Sequence, residues 1–536
     1  MAVIKKTILI EQFMKKIYLS LCASLFLLFG GVTACDDGSL SHDDVYIPDP
    51  VVNSDEDDGY SLEPTTESVI RILMGEEHRH QTIDGFGCNF GWMEAVYRCT
   101  QREQVIEDLY GDNGLRFNVY RGEVCSSAAS KDGTTFDFKT NANWQYAADS
   151  PELTKLALPE KEGGNPGRLK ELAQLWIIDY LTKKKYFDIY YFFSVWTPPI
   201  VWKTIDETDV NGSFNSEYSA EYAHFLTSFV KALKERFGIN VYGISGWNEP
   251  DKAMGGWDGC LWSNHQMADF VHNHLRPELN KQGCESTKII YGEAAWWADA
   301  ITWAAESLSY KPELADDDIV MAGHGYSTVS SNIQPMAAAE EKGIHVWQTE
   351  TCDDKTRDET WNDAMKWAQN YQGYLMDAHT SAIVWWAGAR YCTTTGENLL
   401  QLDDWDISHS FYRVDRYYSI GQFSRYIPRN SRRADVEKIS TPTSKIPREV
   451  TVSAYIKDDT YTIVLVNNNK TRAFETLVEI EGKEFQSMVS YTSNESVKWL
   501  RKKLNPSMSG KRAVTVPKYS VVTITGKFKE KDQTVE

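Results

Sequence analysis

The sequence is short of cysteine, with nine in 536 residues. Two of them, Cys22 and Cys35, belong to the N-terminal region described below. The other seven are Cys88, Cys99, Cys125, Cys260, Cys284, Cys352 and Cys392. Their number is odd, their spacings are wide and no C-x-x-C pair occurs, which argues against a disulfide scaffold and a zinc site. We predict buried free thiols and no metal ion, with a single disulfide as the alternative.

Basic runs are also missing. The chain has 56 Lys and Arg against 76 Asp and Glu, a formal net charge of −20. A nucleic acid would be repelled by this charge, so we expect no nucleic-acid partner. No Gly-rich phosphate loop follows the first predicted strand, and we expect no cofactor.

The N-terminal apolar run is too short to span a bilayer comfortably. It follows Met14-Lys15-Lys16 and ends in Val32-Thr33-Ala34-Cys35. This pattern resembles a bacterial lipobox, so residues 1–35 are interpreted as a lipoprotein signal peptide whose last residue, Cys35, carries the lipid. An ordinary signal peptide cut nearby is the alternative.

Residues 36–66 are acidic, rich in Pro, Ser and Gly, and poor in large apolar residues. Such a segment buries too little surface to offset its ordering entropy, so we expect a flexible tether. The acidic pair after Cys35 resembles the export signal of surface lipoproteins in the Bacteroidetes. The predicted location is therefore the outer membrane, at the cell surface, through a lipid anchor; a spacer without an export signal is the alternative.

Eight short runs rich in β-branched and aromatic residues alternate with helical patterns. The predicted strands are 83–91, 115–124, 187–199, 240–250, 288–297, 319–327, 344–352 and 381–390. Residues 219–238 between two of them have helical apolar spacing and a glycine stop. The predicted fold is α/β, a (β/α)8 TIM barrel over residues 81–428. A doubly wound open sheet is the alternative.

After about residue 430 the pattern changes to alternating apolar and polar residues without a long helix. This is typical of an antiparallel β-sandwich, predicted for residues 429–530. The apolar segment within residues 67–80 precedes the first barrel strand and is predicted to pair into the same sandwich.

Two glutamates end strands on opposite sides of the predicted barrel. Residues 243–251 read GISGWNEPD, so an apolar strand runs into Asn248, Glu249 and Pro250, which strand interiors disfavour. Glu350 ends the seventh predicted strand. The fourth and seventh strands face each other across a barrel mouth, where catalytic residues lie. Two carboxylates there suit glycoside hydrolysis, and carboxylates that only solvate the rim are the alternative.

Tryptophans accumulate at neighbouring strand ends and predict a cleft in which aromatic rings stack on sugar rings. They are Trp196, Trp247, Trp296, Trp297, Trp385 and Trp386. We take Trp196, Trp247, Trp297 and Trp385 as substrate-binding candidates.

Seven motifs together resemble glycoside hydrolase family 30, a retaining family of clan A. They are TIDGFGCNFGW, WTPPIVWK, WNEPD, GCLWSNHQM, HGYS, WQTET and YYSIGQFSRYIPRNSRR, in that family's order. The resemblance implies that Glu249 is the acid/base and Glu350 the nucleophile. The family usually has Gln where this chain has Trp247, which puts one subsite in doubt.

Three further residues are candidates for binding at the site. Asn248 is placed to hold the 2-hydroxyl of the sugar, and Tyr326 to donate a hydrogen bond to Glu350. His324, at the same strand end as Tyr326, is placed to line the subsite. Packing at the strand ends is the alternative for each of them.

WTPPIVWK, WDGCLWSNHQM and VWWAGARY resemble the glucuronoxylanase branch of the family, and Arg390 matches an arginine that binds the glucuronic acid side group. We expect an endo-acting enzyme on (glucurono)xylan, with the polysaccharide as partner. The alternatives are a β-1,6-glucanase or β-1,6-galactanase, a rim salt bridge for Arg390, and, outside enzymes, a non-catalytic glycan-binding lipoprotein or a structural outer-membrane component.

Overall fold

The computed structural model describes residues 53–54, 60–90, 94–125, 136, 138, 146–184, 189–205, 212–253, 257–326, 328 and 333–531. The predicted signal peptide, Cys35 and most of the predicted tether lie outside the described residues. Among the described residues, no helix is long and apolar enough to cross a membrane.

Eight parallel strands close into a barrel, as predicted. In chain order they are β1 (Gly85–Asn89), β2 (Val119–Glu123), β3 (Tyr190–Ser194), β4 (Val241–Ile244), β5 (Lys288–Trp296), β6 (Ile319–Tyr326), β7 (Val346–Glu350) and β8 (Ala382–Trp385). Each of the eight predicted runs contains one of them. The predicted runs extend beyond the strand ends, furthest after β3, β4 and β8, where Trp196, Trp247 and Trp386 continue the apolar pattern into the following residues.

The barrel helices are Glu94–Tyr97, Arg102–Tyr110, Pro151–Leu156, Pro166–Lys184, Ser219–Phe237, Asn264–Phe270, Arg276–Lys281, Trp297–Tyr310, Ala337–Glu340, Trp361–Met376 and Asp415–Ser424, with a π-helical turn at Val271–Leu275. Short 3-10 helices lie at Glu76–His78, Glu160–Glu162, Ile200–Trp202, Ser216–Tyr218 and Pro312–Asp316. Helix Ser219–Phe237 ends at Gly238, whose φ of 68° is the left-handed conformation that makes glycine a helix stop. Its predicted bounds were therefore accurate.

The barrel interior is a packed core. Alternate residues of each strand point inward, and a cluster containing Val119, Phe192, Val320, Trp347 and Val384 fills the space. Along β6 the inward positions continue from this core to the mouth, so the same strand face that packs the interior ends in polar side chains.

Two antiparallel-rich sheets form the β-sandwich. The strands of these two sheets are Asn53–Ser54, Val69–Ile72, Arg79–Thr82, Arg432–Ala434, Val436–Ile439, Val450–Lys457, Thr460–Asn467, Phe474–Ile480, Lys483–Phe485, Val489–Ser493, Leu500–Lys503, Ala513–Val516 and Ser520–Glu530. Val69–Ile72 pairs with Val436–Ile439 and Phe474–Ile480 in the smaller sheet, and Arg79–Thr82 pairs with Arg432–Ala434 in the larger one. Helices Trp361–Met376 and Asp415–Ser424 join the two domains, for example through a 2.9 Å bond from Trp499 Nε1 to the Tyr418 carbonyl.

A small sheet at the barrel mouth was not predicted. Its strands are β9 (Ala387–Arg390), β10 (Asn398–Leu402) and β11 (Phe411–Arg413). The predicted eighth strand therefore merges two elements, and Arg390 lies on a separate rim strand. This placement governs which neighbours Arg390 has.

Candidate active site

Glu249 and Glu350 converge at the barrel mouth. Glu350 is the last residue of β7 and is buried, whereas Glu249 follows β4 in a turn and is partly exposed. A carboxylate oxygen of each, together with a ring nitrogen of His324, forms a group whose atoms all lie within 4.8 Å of one another. The pairing predicted from strand ends is therefore present in the structure.

The backbone at Glu249 has a strained conformation. Glu249 has φ 48° and Glu293 has φ 53°, both left-handed conformations that ordinary residues rarely adopt. Glu293 lies at a bulge in β5, and its carbonyl accepts a 3.1 Å bond from the Glu249 N–H. Such strain is typical of functional sites, where surrounding contacts hold it in place.

Four charged side chains form a layer at the base of the site, which we call the floor: Arg121, Glu293, His324 and the candidate nucleophile Glu350. Arg121 on β2 is fully buried and donates hydrogen bonds to Glu350 and, at 3.0 Å, to Glu293. It also donates to Asn248 Oδ1 at 2.7 Å. One guanidinium thus fixes a candidate nucleophile, a buried carboxylate and a substrate-binding candidate together.

His324 lies under both catalytic candidates. Its Nδ1 is 3.2 Å from Glu249 and 3.8 Å from Glu350, and its Nε2 is 3.8 Å from Glu293. Burial alone would lower its pKa, but the charge of Glu350, the hydrogen bond to Glu249 and the nearby carboxylate of Glu293 raise the pKa to about 9. His324 is therefore a cation at neutral pH, and its fully buried ring corrects the prediction that it lines the subsite.

The two floor carboxylates have different environments. Burial opposes ionisation of Glu293, but Arg121 and His324 outweigh it and lower the pKa to about 2. Burial raises the pKa of Glu350, against the charges of His324 and Arg121. Tyr326 also donates a 2.8 Å bond to Glu350, which confirms the predicted contact. With His324 protonated, the ionised floor carries two positive and two negative charges and is balanced.

A cation would fit this site poorly. Glu249, His324 and Glu350 offer three ligand atoms at suitable spacing. However, His324 is protonated at neutral pH, and Arg121 already binds the Glu350 carboxylate. A metal ion would have to displace a proton and compete with a buried guanidinium.

A cleft of about 390 Å³ opens above the floor. Its lining includes Glu249, Glu350, Asn248, Tyr326, Arg390 and Glu397, and its aromatic walls are Trp196, Trp257, Trp296 and Trp386. Trp196 was a predicted substrate-binding residue and is in this cleft. Trp296 and Trp386, which stand at predicted strand ends, are in the cleft although they are not among the predicted substrate-binding residues.

Three predicted tryptophans lie elsewhere. Trp247, Trp297 and Trp385 are at most 1% exposed and sit in the packed interior, which corrects their assignment as substrate-binding. Trp247 packs edge-on against Trp262 and Tyr291, and Trp385 against Trp367.

The reason for the error at Trp385 is strand alternation. Ala382 and Val384 point into the barrel, so Trp386 shares their face and Trp385 points outward toward the helices. Trp297, which follows the β5 strand, begins a helix and donates from Nε1 to the Gln334 carbonyl at 2.8 Å.

Arg121 and Glu293 are the two floor residues that sequence reasoning missed. Both lie inside predicted apolar strands, and the signal was a charged residue within such a run. Fully buried charges require partners, so an Arg on β2 and a Glu on β5 predict a shared interior site.

At the edge of the cleft, two groups of charged side chains are paired but remain near solvent. Arg390 binds Glu397 at 2.7 Å, with side-chain exposures of 38% and 18%. Lys252 lies 3.8 Å above the Trp296 ring and bridges Asp251 and Asp299 at 3.0 and 2.8 Å. We call these two groups the rim. The salt bridge considered as the alternative for Arg390 is present.

Comparison with known proteins agrees with this geometry. Residues 173–401 match the model of glycosyl hydrolase family 59. The chain is 25% identical over 314 residues to glucuronoxylanase XynC of Bacillus subtilis, covering 57% of this chain and 66% of that protein.

Two solved structures have the same fold. The catalytic domain of GH30 xylanase C from Talaromyces cellulolyticus is 20% identical with a TM-score of 0.67, covering 86% of this chain and all of that one. An endo-β-1,6-glucanase is 18% identical with a TM-score of 0.59, covering 87% of this chain and 94% of that one. Both matches extend over the barrel and the sandwich.

Fold, site and comparisons resemble one class of protein, the glycoside hydrolases. The predicted resemblance to glycoside hydrolase family 30 agrees with the shared fold of a GH30 xylanase and with the similarity to a glucuronoxylanase, whereas the matching family model is that of family 59 and covers less than half of the chain. A non-catalytic glycan-binding protein gains no support from any of these similarities.

Proposed function

We propose that the protein is a retaining, endo-acting β-glycosidase in which Glu350 is the nucleophile and Glu249 the acid/base. The observation that carries this proposal is the spacing of the pair, with carboxylate oxygens within 4.8 Å. Retaining enzymes have carboxyl groups about 5–5.5 Å apart, whereas inverting enzymes need about 6.5–9.5 Å to admit a water molecule. The close spacing favours double displacement.

In the first step, Glu350 attacks the anomeric carbon while Glu249 gives its proton to the departing oxygen. Arg121 and Tyr326 hold one Glu350 oxygen each, which fixes the carboxylate plane and favours its anion. In the second step, Glu249 takes a proton from water, whose oxygen attacks the same carbon and releases Glu350. Both bonds form on the sugar face opposite to the group that leaves, so the configuration is retained.

Asn248 is proposed to hold the 2-hydroxyl of the sugar at the cleavage point. Its Oδ1 already accepts from Arg121 at 2.7 Å, so its amide NH2 is the end that remains for a ligand. An NH2 donor to the 2-hydroxyl strengthens as charge develops in the transition state. Asn248 lines the cleft and is 4% exposed, so this donor is already oriented.

The substrate we favour is (glucurono)xylan, with Arg390 contacting the acidic side group. Support comes from the similarity to a glucuronoxylanase and from the position of Arg390 in the cleft. A neutral β-1,6-linked glucan or galactan is the second candidate. The ion pair between Arg390 and Glu397 favours it, because this guanidinium is already neutralised.

The test begins with product formation on glucuronoxylan, undecorated xylan, β-1,6-glucan and β-1,6-galactan. Proton NMR of the first products gives the anomeric configuration, and retention is expected. On an activated aryl glycoside, azide should rescue Glu249→Ala, because it replaces water as the nucleophile of the second step without needing a base and releases Glu350 as a glycosyl azide of retained configuration. Glu350→Ala cannot form the glycosyl-enzyme, so any azide product of this variant should have the inverted configuration. Inverted products from the wild type would contradict the mechanism. If the enzyme cleaves only a β-1,6-linked polymer, that polymer is the substrate in place of (glucurono)xylan.

We also propose that the mature protein is held at the outer membrane through lipid on Cys35. The support is the sequence alone, Val32-Thr33-Ala34-Cys35 after an apolar run. Cys35→Ser should remove the protein from the membrane fraction or leave it unprocessed. Unchanged fractionation would contradict the anchor.

A further inference from the structure

A second cavity of about 330 Å³ lies beside the cleft. Its described lining residues follow β1, β2 and β8, whereas those of the cleft follow or end β3 to β8. Arg390 lines both, so the second cavity borders the cleft at the rim. It lies away from the loops after β4 and β5, toward which Glu249 would release a leaving group.

The lining of this cavity has the elements that bind a pyranose ring. Trp405 is 72% exposed, although a large aromatic side chain is costly to leave in water. Ala95, Leu169 and Ala389 provide an apolar surface beside it. Apolar patches of this kind on an otherwise polar rim are typical of ligand sites.

Arg98 adds a polar group that lacks one partner. The side chain is 2% exposed, binds Asp406, and donates from Nη2 to Thr154 at 3.0 Å. Its Nε is buried and has no hydrogen-bond partner within the part of the chain that the structure describes. Buried donors are normally satisfied, and a hydroxyl oxygen of a ligand in this cavity would satisfy this one.

The charges around the cavity indicate which sugar it accepts. Arg98 is paired with Asp406, and Arg390 with Glu397, so neither guanidinium is left uncompensated. Glu94 adds a carboxyl that can accept bonds from hydroxyl groups. A uronic acid would meet this additional carboxyl, whereas a neutral sugar would not be repelled.

We propose that the second cavity is a distal glycan subsite that binds a neutral pyranose unit of the substrate on the side opposite to the leaving group. This inference rests on the proposed function. It gives the cleft binding positions on both sides of the cleavage point, which an endo-acting enzyme requires. Trp405 provides the stacking surface, Arg98 donates and Glu94 accepts.

The test uses the full chain and neutral linear oligosaccharides of two to six units, made from the polysaccharide that the wild type cleaves. For Trp405→Ala we expect kcat/KM to fall about tenfold on the six-unit substrate, equivalent to about 1.4 kcal/mol, and to stay unchanged on the two-unit one. Glu94→Gln, which keeps the side-chain volume, should give a smaller loss with the same length dependence. Tyr310→Ala, an exposed aromatic on an outer helix, is the control and should change neither value.

Equal kcat/KM for Trp405→Ala and the wild type at every length would overturn the subsite. A loss of the same size on the two-unit substrate would also overturn it, because the effect would then come from the cleft. Failure of the wild type to cleave any polysaccharide would contradict the proposed function and, with it, the subsite.

Discussion

The floor and the rim contain the same kinds of ion pair in different surroundings. The floor side chains are at most 6% exposed, and every charge there faces a partner of opposite sign. The rim pairs are 17–40% exposed except for Asp251 at 6%. Desolvated charges are costly when a partner is lost, whereas water screens those near the surface. We therefore expect the floor to fix the geometry of the site and the rim to change the affinity for substrate.

The most direct test of this difference between floor and rim is to remove one arginine from each region. Arg121→Met should cost about 3–5 kcal/mol of stability, because it leaves the buried carboxylates of Glu293 and Glu350 to share the single positive charge of His324. It should also abolish most activity, since Glu350 loses the donor that orients it. Arg390→Met, the matched control, should cost about 0–1 kcal/mol. Thermal unfolding of both variants would show the difference, and equal losses would mean that burial does not separate the two regions.

The second prediction uses pH to test the charge balance of the floor. The pKa of His324 is raised from 6.5 to about 9, so its stabilising contribution is complete below pH 6.5 and is lost as the pH rises through 9. Relative to His324→Gln, the wild type should lose up to about 3 kcal/mol across this range. Unfolding midpoints measured for both proteins from pH 6 to pH 10 would show it. A constant difference would indicate that His324 is neutral throughout.

The sequence predicted the barrel and the convergence of Glu249 and Glu350 because both depend on local patterns. Strands of a parallel barrel are apolar runs at regular intervals, and their ends identify the mouth. Glu249 and Glu350 stand at or just beyond such ends. The helix stop at Gly238 is equally local, since one residue provides the left-handed conformation.

The floor was missed because it depends on contacts between distant strands. Arg121 and Glu293 are 172 positions apart, and neither run shows that the other exists. Bulges between Gly292 and Ala294, and between Gln348 and Glu350, also shift the side-chain alternation. The β5 bulge therefore prevents period-two counting from deciding which of Trp296 and Trp297 enters the cleft, whereas on β8 the same counting places Trp386 rather than Trp385 at the mouth. The small sheet that brings Arg390 close to Glu397 likewise depends on strand pairing that no sequence motif predicts.

The third prediction concerns substrate choice at the rim. A charge-assisted bond from Arg390 to a uronic acid is worth about 1.5–3 kcal/mol, but the guanidinium must share or leave Glu397 to make it. We therefore expect a preference for glucuronoxylan over undecorated xylan of about tenfold or less, reduced in Arg390→Ala. Glu397→Gln frees the guanidinium and should increase the preference. If Arg390→Ala keeps the preference for glucuronoxylan, Arg390 is not the residue that binds the side group.

The smallest effect should come from Lys252 at the other edge of the cleft. Its ammonium lies 3.8 Å from the centre of the Trp296 ring, and Asp251 and Asp299 hold it there. The carboxylate of Asp251 also accepts a 3.0 Å bond from the Ala295 N–H, which ties this cluster to the β5 strand that ends in Trp296. A cation over an exposed ring is worth about 0.5–1 kcal/mol, so Lys252→Met should lower kcat/KM on polysaccharide about two- to fivefold. Its kcat on a small aryl glycoside should not change, because the floor is intact. Lys288→Met, which removes a half-buried lysine paired with Asp318 at the start of β5, is the control and should leave both values unchanged. A loss larger than that of Arg121→Met would reverse the predicted order of floor and rim.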